Sequence, residues 1–107
     1  MKMLIVTTQE IPGKEILEVK GLVRGSTVRS KNIGKDIGAA LKGVVGGELA
    51  GYNEMLTEAR QIAIGRMVED AKSKGANAIV GMHLMSSSVM SGAAEMVAYG
   101  TAVLIKE

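Results

Sequence analysis

Residues 95 to 105, EMVAYGTAVLI, make a run of small, β-branched and aliphatic residues whose one charge, Glu95, stands at its start. Read as a strand, the run has no polar face. Met96, Ala98, Gly100, Ala102 and Leu104 alternate with Val97, Tyr99, Thr101, Val103 and Ile105. A strand that is apolar on both sides is normally covered on both sides. That is a demanding requirement for a chain of 107 residues, which is one domain by length and buries only a modest core. The covering layers must also be aliphatic, because the chain has two tyrosines and no phenylalanine or tryptophan. One layer can come from the chain's own helices. The cover expected for the other is a second subunit.

The rest of the chain supplies elements to match. Met3 to Val6 forms a short apolar strand, and Pro12-Gly13 marks a turn. From Ile16 to Ser30 the pattern alternates in part. Ile16, Glu18, Lys20, Leu22 and Arg24 fall on one side, with Leu17, Val19, Gly21, Val23 and Gly25 on the other. The second set is apolar and small and is expected to face the core or a partner. Asn32 is placed to cap a helix over 33–45, with Asp36 in its first turn and Gly46-Gly47 at its end. A longer helix is predicted over 49–74. Tyr52, Met55, Leu56, Ala59, Ile62, Ala63, Met67 and Ala71 form its buried stripe, and Gly75 is its left-handed cap. ANAIVGMHLM then makes a strand, with Ala78, Val80, Met82 and Leu84 on one face and Ile79, Gly81, His83 and Met85 on the other. SSSVMSGAA is expected to be a loop before the final strand. The order β-β-α-α-β-β, over a single domain at 1–107, predicts an α+β fold. Its architecture is two layers, an antiparallel or mixed sheet with two helices.

Several function classes drop out on composition. The net charge of +2 comes from 13 basic and 11 acidic residues, and no basic run is interleaved with aromatics. Nucleic acid is therefore not an expected partner. With no cysteine, disulfides, zinc–thiolate sites, iron–sulfur clusters and thiol catalysis are excluded. MKMLIVTTQE is apolar for about five residues, short of the ~7–15 of a secretory apolar segment. No run approaches the ~20 apolar residues that span a bilayer. The expected location is the cytoplasm, with no membrane partner.

The candidate chemistry is thin. His83 is the only histidine, and Met82, Met85 and Met90 lie near it in sequence. Thioether and imidazole are ligands for a soft ion such as Cu(I), so His83, Met85 and Met90 are candidate metal donors. Met82 points away from His83 on a strand. The competing reading is that the methionines fill gaps in packing. A site of at least three converging donors would need copies of His83 gathered at subunit junctions. The glycine-rich GVVGGELAGY at 43–52 lacks the spacing of a phosphate loop, and Glu48 opposes an anion there. The serines 86, 87, 88 and 91 lack a nucleophile-elbow pattern, which leaves no case for a hydrolase. Glu54 and Glu58, and the pairs Arg66–Asp70 and Asp70–Lys74, have the spacing of a solvated helical face. Glu95 would need a partner if buried, and Arg60 is the candidate, as an intersubunit pair. An enzyme site between subunits, from Tyr52, Arg60, Glu95, Tyr99 or Thr101, is a further and weaker option.

Several strings, in order and spacing across nearly the whole chain, resemble the YbjQ-like family of small prokaryotic proteins. They are Thr7-Thr8, GLVRGSTVRS at 21–30, VVGGELAGYNEML at 44–56, EARQIAIGRM at 58–67, GANAIVG at 75–81 and EMVAYGTAV at 95–103. The resemblance implies a compact α+β subunit that assembles into a ring-like homopentamer, helped by short additional strands. It also brings a heavy-metal-binding label. The expectation is a non-enzymatic oligomeric module with no cofactor. The alternative is a soft or heavy metal-ion binder that uses His83 and methionines at subunit junctions.

Overall fold

The computed structural model describes residues 2–30 and 50–107. In chain order these form β1 (Leu4–Ile5), β2 (Ile16–Ser30), a helix α1 (Ala50–Ser73), β3 (Ala78–Met90) and β4 (Ala93–Ile105). The four strands make one sheet in the order β1-β3-β4-β2. β1 runs parallel to β3, and the other pairings are antiparallel. The fold is thus α+β with a mixed sheet, as expected. The helix predicted over 33–45, its Asn32 cap and the Gly46-Gly47 stop lie outside the described residues.

The sheet's core side forms because α1 presents one narrow stripe of small and flexible side chains. Met55, Ala59, Ala63, Met67 and Ala71 are buried at four-residue intervals. Each such step overshoots a helical turn by about 40°, so the line of contact winds around α1 instead of running straight along it. The stripe packs on Val23 of β2, Ile79 of β3 and Met96, Ala98 and Ala102 of β4. At Gly25 helix and strand touch backbone to backbone. A Cβ there would lie 2.2 Å from the Ala63 carbonyl oxygen and 2.3 Å from the Met67 nitrogen. Gly75, at φ +78°, ends the helix as the sequence predicts. Its N–H donates to the Lys72 carbonyl (3.0 Å) and that of Ala76 to the Ala71 carbonyl (3.1 Å), the paired bonds of a Schellman cap.

Where the chain leaves this cap, Asn77 substitutes for a missing piece of ladder. Its side-chain amide donates to the Ile105 carbonyl (3.0 Å), and its side-chain oxygen accepts from the Ile105 N–H (2.7 Å). Asn77 is a buried polar residue with its amide satisfied, and it locks the start of β3 to the end of β4.

One expectation fails here and another is met in part, for local reasons. SSSVMSGAA is not a loop: β3 runs through it to Met90, the chain turns at Ser91-Gly92, and β4 begins at Ala93. Gly92 adopts φ +78°, so two residues suffice. The serines mimic a loop because both faces of this arm are wet. Of the β2 face expected to meet the core or a partner, Val23 is in the core, whereas Leu17 and Val19 are 54% and 65% exposed. Irregularities between Ile16 and Glu18 and between Val19 and Gly21 insert extra residues into β2 against β4. Each insertion shifts the inside–outside alternation by one. Val23, Gly25 and Thr27, beyond the second insertion, are buried.

Replacing Gly25 with alanine should therefore separate α1 from β2, at a cost of about 1–3 kcal/mol for overpacking. Thermal melts of Gly25→Ala and of Gly65→Ala provide the check. Gly65 faces open space and lies within α1, where alanine is the better helix former. Equal melting temperatures for Gly25→Ala and the parent would refute the close approach.

Candidate functional site

α1 covers only one face of the sheet. The opposite face divides along the strands. At one end Ala78, Val80, Val103 and Ile105 are sealed by Val6, Ile11 and Ile16 from the chain's own N-terminal stretch. Along the rest, the register aligns rows of side chains across β3, β4 and β2. His83, Tyr99 and Arg24 form one row, and Met85, Val97 and Ser26 the next. Leu22 pairs with Thr101 on one side of these rows, and Val28 with Glu95 on the other. Leu22, Val28 and Met85 are 66%, 59% and 57% exposed. The His83 and Tyr99 rings stack with centroids 5.4 Å apart and planes at 27°.

The proposed metal donors separate on this surface. His83 and Met85 share a face, as predicted, but it is the face of Ala78 and Val80 and not of Ile79. The reason is an extra residue between Val80 and His83. At this bulge Gly81, at φ +60°, and Met82 both direct their N–H groups to β1's neighbours, the carbonyls of Thr8 (2.8 Å) and Val6 (3.1 Å). Met82 packs against the core. Met90 sits at the tip of the arm, seven residues beyond His83, or about 23 Å along an extended strand. One subunit therefore offers an imidazole and one thioether together. Among the described residues no group of three or more His, Asp or Glu side chains converges. Three or four donors are the usual requirement of a zinc site, and this donor set does not meet it within one chain.

Arg60 and Glu95 are not brought together either. Arg60 lies on α1 and donates to the Thr57 hydroxyl (3.2 Å). Glu95, partly buried, alternates with the core-facing Met96 and so points to the opposite side of the sheet. Its oxygen lies 3.5 Å from the Ser87 hydroxyl. Tyr99 and Thr101 share Glu95's face, so the alternative enzyme site is split by the sheet. The side chain of Tyr52 lies outside the described set, as does most of the glycine-rich 43–52 stretch. A shallow cleft of about 180 Å³ lies between Arg29 and Ser30 of β2 and the first turns of α1, through Glu58. Arg29 and Glu58 form an ion pair across it.

Sequence reasoning missed the treatment of the two sheet edges. Arg66 and Asp70 do not simply pair with each other on a solvated face. The Arg66 guanidinium donates to the Ser26 carbonyl (2.6 Å), and Asp70 accepts from the Arg24 backbone N–H (3.2 Å). With Glu58 on Arg29, three side chains of α1 thus guard the outer edge of β2. The Asp70–Lys74 pair does form, at 2.6 Å. That hydrogen bond, then the Arg24 N–H, hold the Asp70 carboxyl below its ordinary value against desolvation, and the charges of Lys74 and Arg24 add smaller lowering effects. The other edge, β3 beyond its bonds to β1 and the following residues, has no strand partner from His83 to Met90 among the described residues. The only signal for this asymmetry was charge. Residues 75–94 carry no Asp, Glu, Lys or Arg.

Comparison with known proteins settles the family. A family model described as "Putative heavy-metal-binding", YbjQ, matches residues 3–106. The chain belongs to the YbjQ family. It is 70% identical over 105 residues to a UPF0145 protein of Clostridioides difficile, covering 98% of this chain and 94% of that one. It is 57% identical over 105 residues to a UPF0145 protein of Thermosipho africanus, covering 98% and 97%. A solved structure of a protein of unknown function from Pediococcus pentosaceus, assigned to the DUF74 family, is similar in fold. Its TM-score is 0.62 at 19% identity, over 97% of this chain and 98% of that one. No helix among the described residues of this YbjQ-family chain is long and apolar enough to cross a membrane.

Asp70 gives a pH test of the guarded edge. A carboxyl whose value is lowered by folding stabilises the fold above its unfolded value, and that contribution is lost as pH falls through the folded one. Asp70→Asn is expected to melt lower than the parent near pH 7, by a small margin because the side chain is about a third exposed. It should also lose less stability than the parent below the ordinary value of 3.8. Parallel acid limbs in melts from pH 7 to 2.5 would show that Asp70 does not hold β2.

Proposed function

We propose that this chain is a non-enzymatic, cytoplasmic homo-oligomeric module, closed as a ring of five, in which copies cover each other's exposed sheet face. One observation carries the reading. The face opposite α1 presents Leu22, Met85 and Val28 to water within four successive rows of one sheet, with Arg24, Tyr99 and His83 in the row between Leu22 and Met85. Exposed apolar side chains gathered on one face of a small chain support an interaction site there. Five is the number that the YbjQ resemblance implies, and an odd ring needs two different surfaces of each copy to meet. What the described residues offer chemically favours assembly over catalysis. His83 makes no hydrogen bond to a serine or an acid there, and its ring is spent on Tyr99.

A second reading, a soft metal ion held at subunit junctions, is supported by the placement of His83 and Met85 together on that same face. Contact between copies is the only way the described residues could add further imidazole to the pair. Native mass spectrometry, with and without Cu(I), Zn(II) or Ni(II), separates the two. Five subunits without stoichiometric ion is the expected result. Tight uptake that His83→Ala abolishes would replace the first reading with the second, and a lone folded chain at micromolar concentration would sink both.

Arg60 and Glu95, on opposite sides of one sheet, can pair only between copies. A double-mutant cycle on Arg60→Ala and Glu95→Ala, read as oligomer dissociation, should give a coupling of about 0.5–3 kcal/mol. Additive effects would remove the pair and leave the assembly standing.

A further inference from the structure

We propose that the Met85 thioether is a site of reversible oxidation by hydrogen peroxide, and that its sulfoxide form keeps the chain out of the assembly. The effect on assembly rests on the homo-oligomer reading and places a chemical control on the face which that reading uses. The chain has no cysteine, so its eight methionines hold all of its sulfur, and no thiol competes with them for an oxidant. The described methionines divide by burial. Met55, Met67 and Met96 are core residues, 7%, 0% and 4% exposed, whereas Met85 and Met90 are 57% and 66% exposed. Met3 and Met82 are partly buried and pack against the core. A peroxide must reach the sulfur to react with it, so Met85 and Met90 are attacked before the others.

The two exposed sites differ in what oxidation changes. Met85 lies in the row of Val97 and Ser26, between the row of His83, Tyr99 and Arg24 and that of Ser87, Glu95 and Val28. It stands with Leu22 and Val28 among the exposed apolar side chains of the face opposite α1. Met90 sits at the tip of the arm, beside the turn. In the reaction the sulfur lone pair attacks one peroxide oxygen. An S–O bond forms as the O–O bond breaks, and the second oxygen leaves as water. Sulfur loses two electrons and the peroxide gains them. The product replaces an apolar group with a polar one, and covering it without a hydrogen-bond donor is unfavourable. The next side chain in its own row is Val97, which has no donor to give. On a lone chain the sulfoxide stays wet, whereas under a second copy it loses that water. Oxidation thus weakens association and spares the fold, whose core methionines are shielded. Cover by a copy also shields Met85, so the oxidant captures the chain while it is free. A thiol-dependent sulfoxide reductase reverses the step, releasing the oxygen as water and closing a disulfide on the reductase.

Brief exposure of the full chain to hydrogen peroxide tests this. Peptide mass spectrometry is expected to find one added oxygen on Met85 and on Met90, and none on Met55, Met67 or Met96. Met85 should be modified faster as the chain is diluted. Native mass spectrometry of the oxidised protein should show loss of the assembled species, with the circular dichroism of the folded chain unchanged. Met85→Leu, which roughly conserves apolar volume, should stay assembled under the same exposure, while Met90→Leu should dissociate like the parent. Treatment with methionine sulfoxide reductase should restore the parent's assembly. Persistent assembly with Met85 fully oxidised would overturn the switch, as would equal dissociation of the parent and Met85→Leu. An assembled parent whose Met85 never takes up oxygen would overturn the site and leave the oligomer standing. An untreated parent that is already a lone chain would take down the switch and the oligomer together.

Discussion

The arrangement depends on how closely α1 sits on β2. Gly25 removes the one side chain that would hold them apart, and Ala59, Ala63 and Ala71 do the same from the helix. A helix seated this close is also seated off-centre. It covers β2 and β4 and barely reaches β3. From that position its flanking Glu58, Arg66 and Asp70 come within hydrogen-bonding range of the outer edge of β2. The guarded edge and the thinly covered third strand are two consequences of one contact. A bulkier residue at position 25 would lift α1 and loosen the bonds that guard β2.

Much of this was legible because the signals were local. The long helix has a strict apolar spacing and a glycine stop, and it appears within a residue or so of its predicted bounds. The last strand's two-faced apolar pattern predicts cover on both faces, and the strand lies inside the sheet, paired with both β2 and β3. What failed depended on partners distant in the chain. Nothing in ILEVKGL announces two extra residues against β4, yet those extra residues decide that Leu17 and Val19 point outward. The face of His83 was assigned beside Ile79 because a bulge at Gly81 cannot be counted from alternation alone. The serine-rich arm looked like a loop because polar residues are equally at home in a strand wetted on both sides. Asn77 passed unremarked, since only the fold shows that its amide closes the ladder with Ile105.

The donor set shows how a family description and a particular chain can be weighed. Within one subunit a soft ion would find His83 and Met85, while Met90 is carried about 23 Å away by the extension of β3. That distance follows directly from the segment being strand and not loop. A flexible SSSVMSG could have folded Met90 back onto His83; a paired strand cannot. The same correction that lengthens β3 thus parts Met90 from His83 and Met85 within one chain, and leaves β3 without a strand partner from His83 to Met90 among the described residues. Among the described residues, further donors for such an ion would have to come from a second copy.

The demand that β4 be covered on both faces is met in two ways along its length. Near Val103 and Ile105 the chain covers itself, folding Val6, Ile11 and Ile16 over the outer face. From Glu95 to Thr101 the described residues supply no such layer, and the alternate residues Glu95, Val97, Tyr99 and Thr101 stay partly exposed. The boundary falls near Gly81, where the N-terminal stretch makes its last backbone bonds to β3 through Val6 and Thr8. Burying aliphatic surface gains roughly 25 cal/mol per Å², so side chains as exposed as Leu22 and Val28 leave stabilisation unclaimed by the lone chain. Association between copies, as proposed above, would claim it without lengthening the chain.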